Sequence, residues 1–163
     1  MVVRRLDRND AMILRDIRLR ALRSDPSAFG SSYEEESSYD DRTWSDFLGS
    51  DRPGDVFIAE TDGATVGMAG IRTGEKPESA VLWGMWVSPE ARGTGIGRAL
   101  VEASVAWAGA KGARDVVLQV AEGNDSARRL YERCGFEVIG RSPLRSDDPC
   151  SLATLMRLDL GAG

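Results

Sequence analysis

Trp86-Val87-Ser88-Pro89-Glu90-Ala91-Arg92-Gly93-Thr94-Gly95-Ile96-Gly97-Arg98-Ala99-Leu100 decides the fold of this 163-residue chain. It runs from an apolar strand end, through a glycine-rich loop, into an amphipathic helix. Gly93, Gly95 and Gly97 remove side chains where a ligand must approach the main chain. The first turn of the helix carries unpaired N–H groups and the positive end of the dipole. Together these favour a phosphate or pyrophosphate. Arg92 and Arg98 offer charge-assisted contacts to the same group. Glycine alone would mark only a flexible turn. Two other phosphate motifs fail on spacing. A P-loop needs Gly, four residues, then Gly-Lys and Ser or Thr, and no lysine stands in such a place. A Rossmann fingerprint needs Gly-x-Gly-x-x-Gly. Counting from Gly93 its third glycine falls at Arg98, and counting from Gly95 it falls at Leu100.

Outward from this loop, strands and helices alternate along the whole chain, which predicts one α/β (α+β) domain over 1–163. A short strand is expected at 2–6. A helix follows from Asn9 or Asp10, with Ile13, Leu14, Ile17 and Ala21 as its apolar stripe, and Ser24-Asp25-Pro26 ends it. The stretch 29–41 is polar and acidic, and a short helix is expected at 40–48. Strands at 55–61 and 64–73 flank Asp62-Gly63, a hairpin turn. A third apolar strand covers 81–87, and Trp83 and Trp86 would sit on its opposite faces. The helix at 95–111 buries Ile96, Leu100, Ala103, Ser104 and Trp107, and Gly112 suits its end. The apolar run 116–120 reads as a strand buried on both faces. Strands at 136–139 and 152–158 close the domain, with a polar loop at 141–150 between them.

A second constellation is Asn124-Asp125-Ser126-Ala127-Arg128-Arg129-Leu130-Tyr131-Glu132-Arg133-Cys134-Gly135-Phe136. Asn124 stands where a strand ends and a helix begins, so its amide can cap the helix or bind a ligand. Ala127 and Tyr131 are one turn apart on one face. A small residue there leaves room for a thin ligand ending at the phenol. Taken singly, Tyr131 reads as a core tyrosine and Asn124 as an ordinary cap.

Composition removes several chemistries. There is no histidine, so Ser-His-Asp and Cys-His nucleophiles and His-containing zinc patterns are absent. No metal site is expected. The net charge of −5 argues against a nucleic-acid partner. Nothing is long and apolar enough to suggest a membrane span. Met1-Val2-Val3-Arg4-Arg5 is not followed by a signal-type apolar run, and Cys134 and Cys150 make no disulfide framework, so a cytoplasmic location is expected. Cys134 beside a helix C-terminus is a poor nucleophile.

The two segments together, over about 81–139, resemble the GNAT superfamily of N-acetyltransferases. Its signature is Arg or Gln, two residues, Gly, one residue, then Gly or Ala. Arg92-Gly93-Thr94-Gly95-Ile96-Gly97 fits it. The resemblance implies a central, mostly antiparallel twisted sheet of six or seven strands, flanked by helices and splayed between strands 4 and 5. It implies acetyl-CoA as co-substrate and direct transfer to a primary amine in a ternary complex. Cofactor contacts would come from Trp86 and Val87 on the strand, from Arg92, Gly93, Thr94, Gly95, Ile96, Gly97 and Arg98, and from Asn124, Ala127, Tyr131 and Arg133. Tyr131 would be the general acid for the departing thiolate. A glutamate that several members carry early in the fourth strand is missing from Val81-Leu82-Trp83-Gly84-Met85-Trp86, so Glu34 and Glu35 become the base candidates, with ordered water beside them. Glu36 in the same segment, Glu78 and Glu122 rank behind them. The acceptor stays open between a peptide N-terminus, a lysine, a polyamine and an aminoglycoside. A homodimer is a further implication. The competing reading is an acyl-CoA-binding regulatory module with weak catalysis.

Overall fold

The computed structural model describes residues 1–48, 53–145 and 147–161. Seven strands form one sheet in the order β1-β2-β3-β4-β5-β7-β6. They are β1 (Val2–Arg5), β2 (Gly54–Thr61), β3 (Ala64–Thr73), β4 (Ser79–Val87), β5 (Asp115–Ala121), β6 (Glu137–Arg145) and β7 (Asp148–Asp159). Neighbours are antiparallel except β4 and β5, which run parallel. The helices are α1 (Ala11–Ser24), α2 (Tyr33–Ser37), α3 (Asp41–Asp46), α4 (Ile96–Ala110) and α5 (Asp125–Arg133). This is the mixed, mostly antiparallel sheet expected.

Each face of the sheet carries its own core. On one, α4 lays Ile96, Leu100, Val101 and Ala108 against Ala69, Ile71 and Leu82. On the other, α1 to α3 pack Leu14, Ile17, Leu22 and Trp44 onto Val56, Ile58 and Met68. Fully burying an aliphatic side chain of this kind stabilises by about 1.5–3 kcal/mol. The turn between β2 and β3 has Asp62 at φ 52° and Gly63 at φ 79°. Positive φ at both central residues matches the strand twist, as expected of Asp-Gly.

Four expectations change. The buried face of α4 centres on Leu100, Ser104 and Ala108; Ala103 and Trp107 are only half-buried. The Trp107 indole reaches aside to Asp55 Oδ2 at 2.7 Å. Strand β5 is not buried on both faces: Val116, Leu118 and Val120 are buried, but Gln119 is exposed and donates to Ser142 Oγ. The loop expected at 141–150 is mostly strand, because β6 and β7 extend as a long hairpin; Ser146 within it lies outside the described residues. Pro143 is tolerated because β6 is an edge strand, where a missing N–H breaks no ladder. Finally, the acidic stretch 29–41 contains α2, capped by the Ser32 hydroxyl on the Glu35 N–H.

Candidate active site

The sheet opens where the parallel pairing of β4 and β5, the only such pair among the described residues, ends. β4 and β5 pair at Ser79↔Asp115, Ala80↔Val116 and Val81↔Val117, and no further. Among the described residues, no strand lies against the edge of β4 beyond Val81 that faced β5. In the same stretch β4 bulges: Gly70 pairs with Trp83 and Met68 with Trp86, so two residues of β4, Gly84 and Met85, stand opposite one of β3. Gly84 takes φ 64°, a left-handed conformation that suits glycine. The extra residue restores the same face, so Trp83 and Trp86 both pack toward α1, not on opposite faces as strict alternation predicts.

A cleft of about 510 Å³ lies beside this strand end. Its walls are Met85, Trp86 and Val87 of β4, the glycine loop with the start of α4, and α5 with Asn124. Of the residues singled out in the sequence, the cleft gathers Trp86, Val87, Arg92, Gly93, Gly95, Gly97, Arg98, Asn124, Ala127, Tyr131 and Arg133. Thr94 and Ile96 do not line it. The Thr94 hydroxyl turns back to the Ala91 carbonyl, and Ile96 is buried under α4.

The loop owes its shape to its glycines. Gly93 and Gly95 take φ of 79° and 88°. A Cβ on either would meet nothing within 4 Å, so conformation, not crowding, requires glycine there. Gly95 is the N-cap of α4 and supplies no side-chain cap, which leaves the first-turn amides for another partner. Gly97 is crowded instead: a Cβ there would come within 2.9 Å of Leu130 and 3.4 Å of Met85. Its absence lets α4 and α5 approach across the cleft.

On α5, the Asn124 side chain accepts from the Ala127 N–H at 3.4 Å, so it caps the helix and faces the cleft at once. Tyr131 is 5% exposed and stacks edge-on to Phe136 at 5.8 Å. Its hydroxyl has no hydrogen-bond partner among the described residues. Burial, with a smaller contribution from the nearby Cys134, pushes the phenol above its ordinary value. The ring is therefore a neutral O–H at physiological pH. Burial also raises the Cys134 thiol, which makes it a still poorer nucleophile.

Glu34 and Glu35 are exposed on α2 and do not line the cleft. Their neighbour Glu36, ranked behind them from the sequence, is 6% exposed and receives two hydrogen bonds from Arg18, at 2.9 and 3.1 Å. The one carboxylate among the cleft's lining residues is Asp25, which the sequence does not mark as a site residue. In the sequence it stands only within the helix-ending Ser24-Asp25-Pro26. No local pattern could have found it, since its partners Trp86 and Arg92 lie 61 and 67 residues away. Ala28, Met85, Ala91, Ser126, Leu130 and Cys134 complete the walls. Among the described residues no group of three or more acidic, Cys or His side chains is placed to hold a metal, and no helix is long and apolar enough to cross a membrane.

A mixed sheet splayed between its fourth and fifth strands, with a bulged β4 leading into a glycine-rich helix mouth, defines a GNAT-type fold. The model of the acetyltransferase (GNAT) family matches residues 17–136, and the chain belongs to that family. It is 39% identical over 89 residues to a mycothiol acetyltransferase from Thermobispora bispora, a match covering 52% of this chain and 30% of the relative. It is 34% identical over 99 residues to an aminoglycoside N(6')-acetyltransferase type 1 from Stenotrophomonas maltophilia, covering 56% of this chain and 65% of the relative. The matches thus span less than two thirds of either relative's length. The fold superposes on that of yncA from Salmonella typhimurium, solved with its cofactor acetyl-CoA, at a TM-score of 0.78 and 20% identity, over 100% of this chain and 95% of that one.

Proposed function

We propose that this protein transfers the acetyl group of acetyl-CoA to a primary amine, directly, in a ternary complex. The observation that carries the reading is the convergence of a glycine-bared helix mouth and a buried, unpartnered phenol on one cleft. The cleft suits the cofactor on its own terms. The amides at the start of α4 offer donors to a diphosphate. The free edge of β4 beyond Val81 offers main-chain groups to the amides of a pantetheine arm. Ala127 and Gly97 keep the passage between the helices narrow but open.

In the reaction an amine nitrogen attacks the thioester carbonyl, a C–N bond forms and the C–S bond breaks. The attacking amine must first be neutral, against an ordinary pKa of about 10.4. The oxyanion of the tetrahedral intermediate takes a hydrogen bond from a β4 main-chain N–H near Trp86 or Val87. The thiolate, with a pKa of about 8.5, leaves with a proton from the Tyr131 phenol. The amine's proton passes to ordered water, through which the Tyr131 phenol regains the proton it gave to the thiolate. Asp25 is a poor base because hydrogen bonds from Trp86, Ser24 and Arg92 outweigh its burial and hold its pKa below the usual range. Glu34 and Glu35 lie outside the cleft walls.

The mycothiol acetyltransferase and the aminoglycoside N(6')-acetyltransferase among its relatives support acetyl transfer without choosing the acceptor. Calorimetric titration with CoA, followed by a panel of amines with CoA-thiol release as readout, tests the proposal. Binding with turnover of at least one amine supports it; absence of any affinity for CoA or acetyl-CoA sinks it. CoA binding without turnover on any amine would instead favour an acyl-CoA-responsive binding module.

A further inference from the structure

We infer that Asp25 is a positioning residue for the cofactor's diphosphate, and that it makes Arg92 a latch on the glycine loop instead of a phosphate ligand. The inference rests on the acetyl-CoA reading above and adds to it a residue that no motif contains. Asp25 Oδ2 accepts from the Trp86 indole N–H at 2.8 Å and from Arg92 Nη2 at 2.8 Å. Arg92 Nε donates in turn to the Val87 carbonyl at 2.9 Å. One carboxylate oxygen therefore joins the end of α1, the end of β4 and the first residue of the loop.

The charge count follows from these contacts. The Arg92 guanidinium has its nearest carboxylate at hydrogen-bond distance, so the pair is close to neutral as seen by an arriving diphosphate. Two of its nitrogens are already committed to the protein. The diphosphate is left to the loop amides and the helix dipole, which depend on loop shape. Gly93 and Gly95 supply freedom that must be removed before those amides converge, and ordering a loop at the moment of binding costs affinity. The latch does this in advance by fixing both sides of the strand-to-loop junction. Asp25 is itself held: its N–H donates to the Ala21 carbonyl at 2.9 Å, and its own carbonyl accepts from the Ala28 N–H at 3.0 Å. Its pKa lies below the usual carboxylate range, so the latch is closed at neutral pH.

The opposing expectation is purely Coulombic. If Asp25 only repelled the diphosphate, its removal would free Arg92 and tighten CoA. The two are separated by titrating the full chain with CoA and with pantetheine, which lacks the diphosphate, followed by tryptophan fluorescence. Asp25→Ala should weaken CoA roughly tenfold, the scale of a lost charge-assisted hydrogen bond. It should leave pantetheine within about twofold, and the loss should disappear in an Arg92→Ala background, where the latch is already broken. Unchanged or tighter CoA binding by the variant overturns the inference, as does an equal loss toward both ligands. If Asp25→Ala does not fold, Asp25→Asn is read by the same ratio. A wild-type chain that binds no CoA would take down the acetyl-CoA reading and this inference with it; a wild type that binds, matched by the variants, takes down this inference alone.

Discussion

At the scale of single residues, Tyr131 and Glu36 show what burial does to polar groups. Tyr131 keeps its proton because a phenolate would be desolvated, which is the state a general acid needs. Tyr131→Phe should lower kcat by about 10²–10⁴-fold while changing CoA affinity by less than about threefold. An unchanged kcat would remove the assignment. A raised pKa means the acid form persists as pH rises, so no fall in kcat from Tyr131 ionisation is expected until well above the ordinary phenol value of about 10. Glu34→Gln and Glu35→Gln, both outside the cleft walls, should leave kcat within about twofold; a loss of tenfold or more in either would restore that residue as base. Arg18–Glu36 differs from these exposed carboxylates. Both partners are buried, and the Arg18 guanidinium lies over Phe29 at 4.8 Å. Glu36→Ala leaves that cation unpaired and should destabilise by about 3–5 kcal/mol in a denaturant titration. Replacing both partners by apolar residues should recover most of the loss.

At the scale of elements, the passage from β4 into α4 couples backbone shape to the proposed cofactor binding. Gly84 at φ 64° and Gly93 and Gly95 at 79° and 88° place three left-handed turns within one short stretch. An Ala at Gly95 meets no steric obstacle but must adopt αL, at a cost of about 1–2 kcal/mol. The free loop of the variant avoids that cost by leaving αL and meets it again on binding, so Gly95→Ala should weaken CoA roughly tenfold with only a small change in melting temperature. A larger thermal loss than affinity loss would mean that this glycine serves folding more than binding. The bulge also explains where the pattern misled. Trp83 and Trp86 are an odd and an even position, so alternation assigns them opposite faces. One inserted residue returns both to the α1 side. The helix face drifted for a related reason: Ala103 and Trp107 lie one step off the stripe that the sheet covers, and the indole found Asp55 instead.

At the scale of the whole molecule, the proposed function depends on two strands that begin together and part. Asp115 stands at the first paired position of β5, opposite Ser79. Burial works against its charge, yet hydrogen bonds from Ser79 and Arg157 outweigh it and hold its pKa below the usual range. A depressed folded-state pKa contributes stability above the unfolded value of about 3.9, and that contribution fades as pH falls through the folded value. Wild type should thus lose stability more steeply than Asp115→Asn below about pH 4, while the variant is less stable at pH 7. Parallel pH–stability curves would show that this clamp does not secure the base of the splay.

Much of this was legible in the chain itself. The glycines of 92–97, the Asn-Ala-Tyr face of α5 and the Asp62-Gly63 turn are local, and local sterics fix their shape wherever they occur. Those segments were enough to name the family's fold and to gather most of the cleft's walls. What only the tertiary structure decided was non-local. Asp25 meets Arg92 across 67 residues, Arg18 chooses Glu36 over its two acidic neighbours, and β6 and β7 lengthen because they have each other to pair with. Backbone conformation is set by neighbours a few residues away, whereas the partner of a charge or of a strand edge is set by what folding brings alongside it.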